Sequence, residues 1–183
     1  MKVVESALNG ILVIEPSVFT DIRGYFFECF QAKKLASFGI TAEFTQDNIS
    51  KSVKNTVRGL HYQVPPSPQG KLCQVVFGEV VDVVVDIRHG SPTFGKYFST
   101  HLSEENHRLI WIPPGFAHGF SVISETVLFH YKCTGYYNKE DERVIRFDDP
   151  VINVNWEVTE PIVSPKDLDG INLKEIEKDF IFK

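Results

Sequence analysis

Short segments in which apolar and polar residues alternate run through most of the chain. In the most apolar of them Val81, Val83 and Val85 fall on one side, with Asp82, Val84 and Asp86 on the other, which predicts a half-buried strand. Similar patterns predict strands at residues 10–14, 25–30, 73–77, 97–102, 109–112, 119–122, 127–131 and 144–147. Because Gly, Pro, Asn and Asp turns separate these many short strands, we expect a β-barrel or sandwich.

Helical patterns are few and short. They are limited to residues 31–38 and to a C-terminal stretch in which Leu173, Ile176 and Phe180 recur at helical spacing. The proline-rich segment 64–71 predicts a loop, and residues 113–115 predict a turn. Neither a repeat nor a linker divides the chain, so we expect a single domain over residues 1–183.

Composition narrows the possible partners. The 183 residues include 43% hydrophobic and 13% aromatic residues, enough for one substantial core. With 19 Lys and Arg against 24 Asp and Glu, the net charge of −5 argues against a nucleic-acid partner but allows a small anionic ligand. Three widely spaced cysteines without a CxxC pair, and an N-terminus without a signal peptide or membrane segment, predict a cytoplasmic protein with no membrane partner.

Two histidines near predicted turns are the first candidates for chemistry. If residues 58–63 form a strand, His61 and Gln63 share a face, and His118 could supply a second imidazole inside a small barrel. A metal site is the competing interpretation, but Gln63 is a weak ligand and Lys71 puts a cation where a carboxylate is needed. We therefore expect no metal.

A pocket with His61, Lys71 and Tyr131 suits proton transfer at carbon. An imidazole can remove an acidified C–H proton, an ammonium can stabilise the enolate, and a phenol can return a proton. A buried core position is an equally good interpretation of Tyr131. Asp167 or Asp169 could hold the imidazole in the right tautomer, or either could cap a C-terminal helix.

Two arginines, each followed by glycine, suit a phosphorylated ligand. Arg23 and Arg58 could bind a diphosphate through paired hydrogen bonds, although a solvated turn arginine is the commoner case. The aromatic residues Phe19, Phe26 and Tyr137 could stack on a nucleotide base.

Several motifs taken together resemble a known family. They are Asp21-x-Arg23-Gly24-x-Phe26-x-Glu28, Gln46-Asp47-Asn48-x-Ser50, Arg58-Gly59-Leu60-His61-x-Gln63, Ser91-Pro92-Thr93-Phe94-Gly95 and Trp111-Ile112-Pro113-x-Gly115-Phe116-Ala117-His118-Gly119-Phe120. Further matches are Tyr131-Lys132-x-Thr134-x-Tyr136-Tyr137, Asp148-Asp149-Pro150, Trp156 and Ser164-x-Lys166-Asp167. On these residues the chain resembles the dTDP-4-dehydrorhamnose 3,5-epimerases over nearly its whole length.

The resemblance implies an all-β, cupin-type jelly-roll β-barrel with short peripheral helices, in a homodimer that exchanges N-terminal strands. It implies a metal-independent epimerase without cofactor, which acts on dTDP-4-dehydro-6-deoxy-D-glucose. The product would be dTDP-4-dehydro-β-L-rhamnose, in the biosynthesis of dTDP-L-rhamnose. The C4 ketone acidifies the hydrogens at both C3 and C5, so one site could invert both centres.

By the same resemblance His61 is the base and Asp167 its partner, while Lys71 stabilises the enolate and Tyr131 is the acid on the opposite face. The resemblance further implies a set of substrate-binding residues, of which the first two are expected from the neighbouring subunit: Phe19, Arg23, Phe26, Glu28, Gln46, Asn48, Arg58, His118, Glu142 and Lys166. The alternatives are an epimerase of one centre, a ketoisomerase and a nucleotide-sugar-binding cupin without activity. The pair His61 and Tyr131 favours an epimerase over the last two.

Overall fold

The computed structural model describes residues 1–182, which fold almost entirely into β-strands. The strands are β1 (Lys2–Ala7), β2 (Ile11–Glu15), β3 (Phe19–Asp21), β4 (Gly24–Phe26), β5 (Gln46–Val53), β6 (Thr56–Gln63), β7 (Lys71–Phe77), β8 (Glu79–Asp86), β9 (Tyr97–Ser103), β10 (Leu109–Ile112), β11 (Phe116–Val122), β12 (Thr126–Cys133), β13 (Glu142–Val144) and β14 (Ile162–Val163). The helices are α1 (Ala32–Ser37) and α2 (Pro165–Leu168), with 3-10 turns at Lys139–Asp141 and Leu173–Glu175.

Two sheets face each other. The first has the strand order β1-β2-β10-β7-β12-β5, and the second has the order β13-β6-β11-β8-β9, with β14 parallel to β6. The strands β3 and β4 form a separate hairpin. Apolar side chains from both sheets fill one part of the space between them. This is the cupin-type jelly-roll barrel with short peripheral helices that the family resemblance implies.

Most of the predicted strands are present. Those at 10–14, 73–77, 97–102, 109–112, 119–122 and 127–131 correspond to β2, β7, β9, β10, β11 and β12, and residues 58–63 lie in β6. The loop between β6 and β7 and the turn before β11 also lie where the prolines predict them. The helix predicted at 31–38 is the six-residue α1.

The strand β8 differs from its prediction, because both of its faces are buried. Val80 and Val84 join the core between the sheets. On the opposite face, Val81 and Val83 pack against a second apolar cluster that includes Trp156 of the C-terminal segment. The alternation along β8 correctly separates its two faces, but neither of them meets water, because the C-terminal segment covers the outer one.

Three other predictions are wrong in extent or type. The strand predicted at 25–30 ends at Phe26, and the one predicted at 144–147 occupies Glu142–Val144 instead. The predicted C-terminal helix is a single 3-10 turn, Leu173–Glu175. Leu173 and Ile176 are buried as their spacing requires, but they lie in an irregular segment that packs on the outside of the second sheet. A helix this short is unstable in isolation, and here the burial of these apolar side chains against the second sheet stabilises the segment without a helix.

Two glycines bring β6 and β11 unusually close together beside the candidate base. A Cβ atom on Gly59 would lie 2.5 Å from the Cα of Gly119, and Gly59 has a φ of +121°. Opposite them the pairing register shifts, between His118 and Phe120. This irregularity lets Arg58 and His61, three residues apart, line one cavity.

Candidate active site

A pair of adjoining cavities lies between the two sheets, each with a volume of about 290 Å³. Five side chains line both cavities. They are His61 from β6, Lys71 from β7, Tyr131 from β12, Tyr137 from the segment before β13 and Glu142 from the start of β13. Because β6 belongs to the second sheet and β7 and β12 to the first, the imidazole faces the ammonium and the phenol across the cavity. A ligand between the sheets would have His61 on one side and Tyr131 on the other.

The His61 ring is held by a buried carboxylate. His61 Nε2 lies 2.6 Å from Asp167 Oδ1, and the backbone N–H of Gly59 donates to Asp167 Oδ2 at 3.3 Å. Burial opposes ionisation of Asp167, but these hydrogen bonds and the His61 charge outweigh it and hold the Asp167 pKa below its usual value. An ionised carboxylate accepts the Nε2 proton, which leaves Nδ1 as the basic nitrogen of a neutral ring. Asp169 is exposed, so Asp167 is the carboxylate that the fold brings to His61.

Helix α2 positions this carboxylate. Ser164 is its N-cap, and the Ser164 hydroxyl accepts a hydrogen bond from the backbone N–H of Asp167 at 3.2 Å. Pro165 occupies the first turn, where its missing N–H costs nothing. The motif around Asp167 thus codes for a short capped turn that points one acidic side chain at β6.

Lys71 and Tyr131 lie on neighbouring strands of the first sheet. Lys71 Nζ donates to the backbone oxygen of His61 at 3.5 Å, so its charge lies at the same end of the cavity as the imidazole. Burial, aided by the nearby Cys133 and Cys73 thiols, raises the pKa of Tyr131 to about 12. The phenol is therefore protonated at neutral pH and able to donate a proton.

A second histidine–aspartate pair lies beside the first. His118 is the direct cross-strand partner of His61, and its Nε2 lies 2.8 Å from Asp82 Oδ2. Burial lowers the pKa of His118, although the Asp82 charge opposes this effect. Asp82 is fully buried and lies behind the cavity wall, while the His118 ring stacks on Phe129 at a centroid distance of 6.1 Å.

Ion pairs and amides line the two ends of the cavities. In the first cavity Lys166 Nζ lies 2.6 Å from Glu142 Oε1, and Tyr137 donates to Glu142 Oε2 at 2.9 Å. Burial opposes ionisation of Glu142, but these two hydrogen bonds outweigh it, and the Glu142 pKa falls below its usual value. In the second cavity the Gln46 side chain donates to Asn48 Oδ1 at 2.9 Å. Arg58, Gln46, Asn48, His118, Glu142 and Lys166 are thus brought together around the catalytic candidates.

Four predicted binding residues lie elsewhere in this chain. Phe19, Arg23 and Phe26 belong to the β3–β4 hairpin, whose own concavity of about 500 Å³ contains none of the His61, Lys71 and Tyr131 group. Both phenylalanines are 66% exposed, and Arg23 pairs with Asp21 of its own turn. Glu28 pairs with Lys34 of helix α1. Within one chain, these residues do not reach the cavity.

Sequence reasoning missed several residues of the site. Asp82 is a charged residue inside an apolar run, which is the signal that could have identified it. Its pairing with His118, a residue that was predicted, could not be foreseen from the sequence. Ser50, Phe120 and Phe129 also line the first cavity. Cys133, for which the sequence suggests no role, is buried in the wall of the second cavity, 3.7 Å from Asn48 Nδ2.

Residues 1–182 contain neither a metal-binding cluster nor a membrane-spanning helix. Over residues 1–182 no group of three or more His, Cys, Asp or Glu side chains is arranged to hold a metal ion. Over the same residues no helix is long and apolar enough to cross a membrane.

The chain is similar to known proteins over nearly its entire length. Residues 5–175 match the family model described as dTDP-4-dehydrorhamnose 3,5-epimerase. The chain is 50% identical over 171 residues to the dTDP-4-dehydrorhamnose 3,5-epimerase of Shigella flexneri, with 93% of this chain and 94% of that protein covered.

Solved structures show the same likeness. The dTDP-6-deoxy-D-glucose-3,5-epimerase of Legionella pneumophila, in complex with dTDP-4-keto-L-rhamnose, is 45% identical with a TM-score of 0.95, covering 100% of this chain and 98% of that one. A more distant neighbour is a 3'-monoepimerase from Streptomyces bikiniensis in complex with dTDP-quinovose, 30% identical with a TM-score of 0.85 and coverages of 90% and 84%.

Proposed function

The chain belongs to the dTDP-4-dehydrorhamnose 3,5-epimerase family, and on that premise we propose how its residues carry out the reaction. The protein is an isomerase of dTDP-L-rhamnose biosynthesis that converts dTDP-4-dehydro-6-deoxy-D-glucose into dTDP-4-dehydro-β-L-rhamnose. The observation that carries the mechanism is the pair formed by His61 of β6 and Asp167 of α2, 2.6 Å apart, with Tyr131 on the facing sheet.

His61 removes the proton from carbon. The C4 ketone acidifies the C3 and C5 hydrogens, and the neutral His61 ring takes one of them through Nδ1. The Asp167 carboxylate stabilises the imidazolium that forms, across the 2.6 Å hydrogen bond. The Lys71 ammonium stabilises the enolate oxygen at C4.

Tyr131 returns a proton to the other face of the enolate. Its pKa of about 12 keeps the phenol protonated at neutral pH, so that it can donate its proton to the enolate carbon. Inversion follows because removal and return occur on the two faces that the two sheets present to the sugar. The imidazolium then releases its proton to solvent and the phenolate takes one up from solvent, after which a second cycle at the other carbon inverts that centre as well.

We assign the remaining polar groups to the nucleotide sugar. Arg58 and Lys166 supply positive charge for the diphosphate, and Tyr137 offers an exposed aromatic face for the base. Gln46, Asn48, His118 and Glu142 complete the cavity walls.

A homodimer would complete this site. Phe19, Arg23 and Phe26 lie on a hairpin that is exposed in one chain, which supports their insertion into the partner's nucleotide end. Such an arrangement also gives the exposed apolar side chains a surface to cover. Glu28, which pairs with Lys34 and follows the β3–β4 hairpin in the chain, would lie near the same nucleotide end of the partner's site.

Incubation with the 4-keto sugar nucleotide in deuterium oxide tests the function. We expect deuterium at both C3 and C5, with both centres inverted, as read by mass spectrometry and NMR. Label at one carbon only would identify a single-centre epimerase, like the more distant monoepimerase. Tight binding without any label would identify a nucleotide-sugar-binding cupin, and would contradict the proposed function.

A further inference from the structure

The hydroxyl group of Ser50 is an unpaired polar group in the wall of the first cavity. The Ser50 side chain lines this cavity together with His61, Lys71 and Tyr131. Its Oγ is shielded from water and has no hydrogen-bond partner among residues 1–182. A buried hydroxyl without a partner destabilises the folded protein, since it loses its hydrogen bonds to water on folding.

The neighbours of Ser50 on the same strand face do have partners. Residues Gln46, Asn48, Ser50 and Ser52 alternate along β5 with exposed residues, so all four point between the sheets. Asn48 accepts from Gln46 at 2.9 Å, and Ser52 accepts from Arg58 Nε at 2.9 Å. The unpaired hydroxyl is therefore not a general property of this polar face.

Ser50 lies near the residues assigned to proton transfer at the sugar, and this position favours the hexose over the diphosphate as its ligand. Its cross-strand partner is Phe129, the residue two before Tyr131 on β12. Phe129 stacks on Phe120 with centroids 4.3 Å apart, and both rings line the same cavity. Ser50 is thus the polar group that β5 contributes next to an aromatic wall, beside the residues assigned to proton transfer.

We propose that the Ser50 side chain turns about χ1 when substrate binds, so that its Oγ reaches the cavity that the residue lines and binds a ring hydroxyl of the hexose. The inference rests on the proposed function, because it takes the hexose to lie beside His61 and Tyr131. A hexose hydroxyl can both donate and accept, as the Ser50 hydroxyl can, so binding would satisfy the group that folding leaves unpaired. The stability that the free protein loses at Ser50 is then recovered when the sugar binds.

The variant Ser50→Ala separates this role from a structural one. Loss of one neutral hydrogen bond should lower kcat/KM and weaken binding of dTDP-L-rhamnose by about 3- to 10-fold. Binding of dTDP, which has no hexose, should stay unchanged in titration calorimetry. The melting temperature of the free variant should equal or exceed that of the wild type, because the deleted hydroxyl has no partner.

The variant Ser52→Ala is the matched control for stability. It deletes a hydroxyl from the same face that accepts from Arg58, so its melting temperature should fall. Three results would overturn the proposal: a lowered melting temperature for Ser50→Ala, unchanged binding of dTDP-L-rhamnose, or an equal loss of affinity for dTDP. Because the binding titrations need no turnover, they test Ser50 even if the epimerisation assay contradicts the proposed function.

Discussion

Replacing Asp167 by Asn tests the proposed base with little change in shape. The carboxylate is 3% exposed and lies 2.6 Å from His61 Nε2. Asn fills the same volume but carries no negative charge. When His61 takes a proton from carbon, the imidazolium would therefore form without its counter-charge, and the amide could also hold the wrong tautomer.

The size of the effect follows from this one contact. A hydrogen bond to a charged group contributes about 1.5–3 kcal/mol. At about 1.4 kcal/mol for each factor of ten, that range corresponds to a decrease in kcat of about 10- to 160-fold. Since solvent hardly screens the buried pair, we expect the upper part of this range. KM should change little, because Asp167 touches His61 and not the ligand.

The assay measures kcat for epimerisation and the rate of deuterium incorporation at C3 and C5, both of which should fall together. Asp169→Asn is the control, since Asp169 is an exposed carboxylate two residues away. A turnover number for Asp167→Asn within twofold of the wild type would refute the assignment of His61 and Asp167 as the base pair. So would an equal loss in Asp169→Asn.

The same pair predicts how stability depends on pH. The pKa of Asp167 is lowered in the folded protein, so its ionised form stabilises the fold at pH values above about 4, the value for an unfolded Asp. This contribution is lost as the pH falls through the lowered folded pKa. The free energy of unfolding of the wild type should thus exceed that of Asp167→Asn at pH 7, and urea titrations should show the difference narrowing below pH 4.

Further predictions concern other parts of the molecule. Tyr131→Phe should lower epimerisation more than deuterium exchange, because the phenol returns protons; equal losses in the two assays would argue against this role. Gly59→Ala should destabilise the fold by at least about 2 kcal/mol in chemical denaturation, since its Cβ would lie 2.5 Å from the Gly119 Cα at a φ of +121°; a wild-type midpoint would contradict the close approach. Sedimentation should find a dimer, and Phe26→Ser should raise KM without unfolding the protein; a monomer at all concentrations would exclude a shared site.

The strand β5 shows why the site was harder to predict than the fold. Its inward residues Gln46, Asn48 and Ser50 are polar and line the cavities of the proposed site, whereas Ile49 and Val53 point outward and are exposed. A rule that places apolar residues inside therefore finds no strand here. The function of the strand has inverted the pattern by which strands are recognised.

Family motifs assigned roles to residues for which local patterns left two interpretations open. Alternation alone left Tyr131 as a core residue or an acid, and it left Asp167 and Asp169 as equal candidates. The motifs favoured Asp167, but the physical reason is tertiary. Helix α2 packs against β6 and turns Asp167 inward, while Asp169 follows at the end of the helix and faces water.

Local periodicity and short motifs predict the all-β class, most strand positions and the residue types of the proposed proton-transfer site, because each of these depends on residues close together in the chain. The tertiary structure decided which groups meet. Asp167 and His61 are 106 residues apart, and Asp82 and His118 are 36 apart. No local rule joins such pairs. Asp167 reaches His61 because helix α2 packs against β6, and Asp82 reaches His118 because β8 and β11 are neighbours in the second sheet. The burial of both faces of β8 has the same origin, because a segment some 70 residues further along the chain covers it.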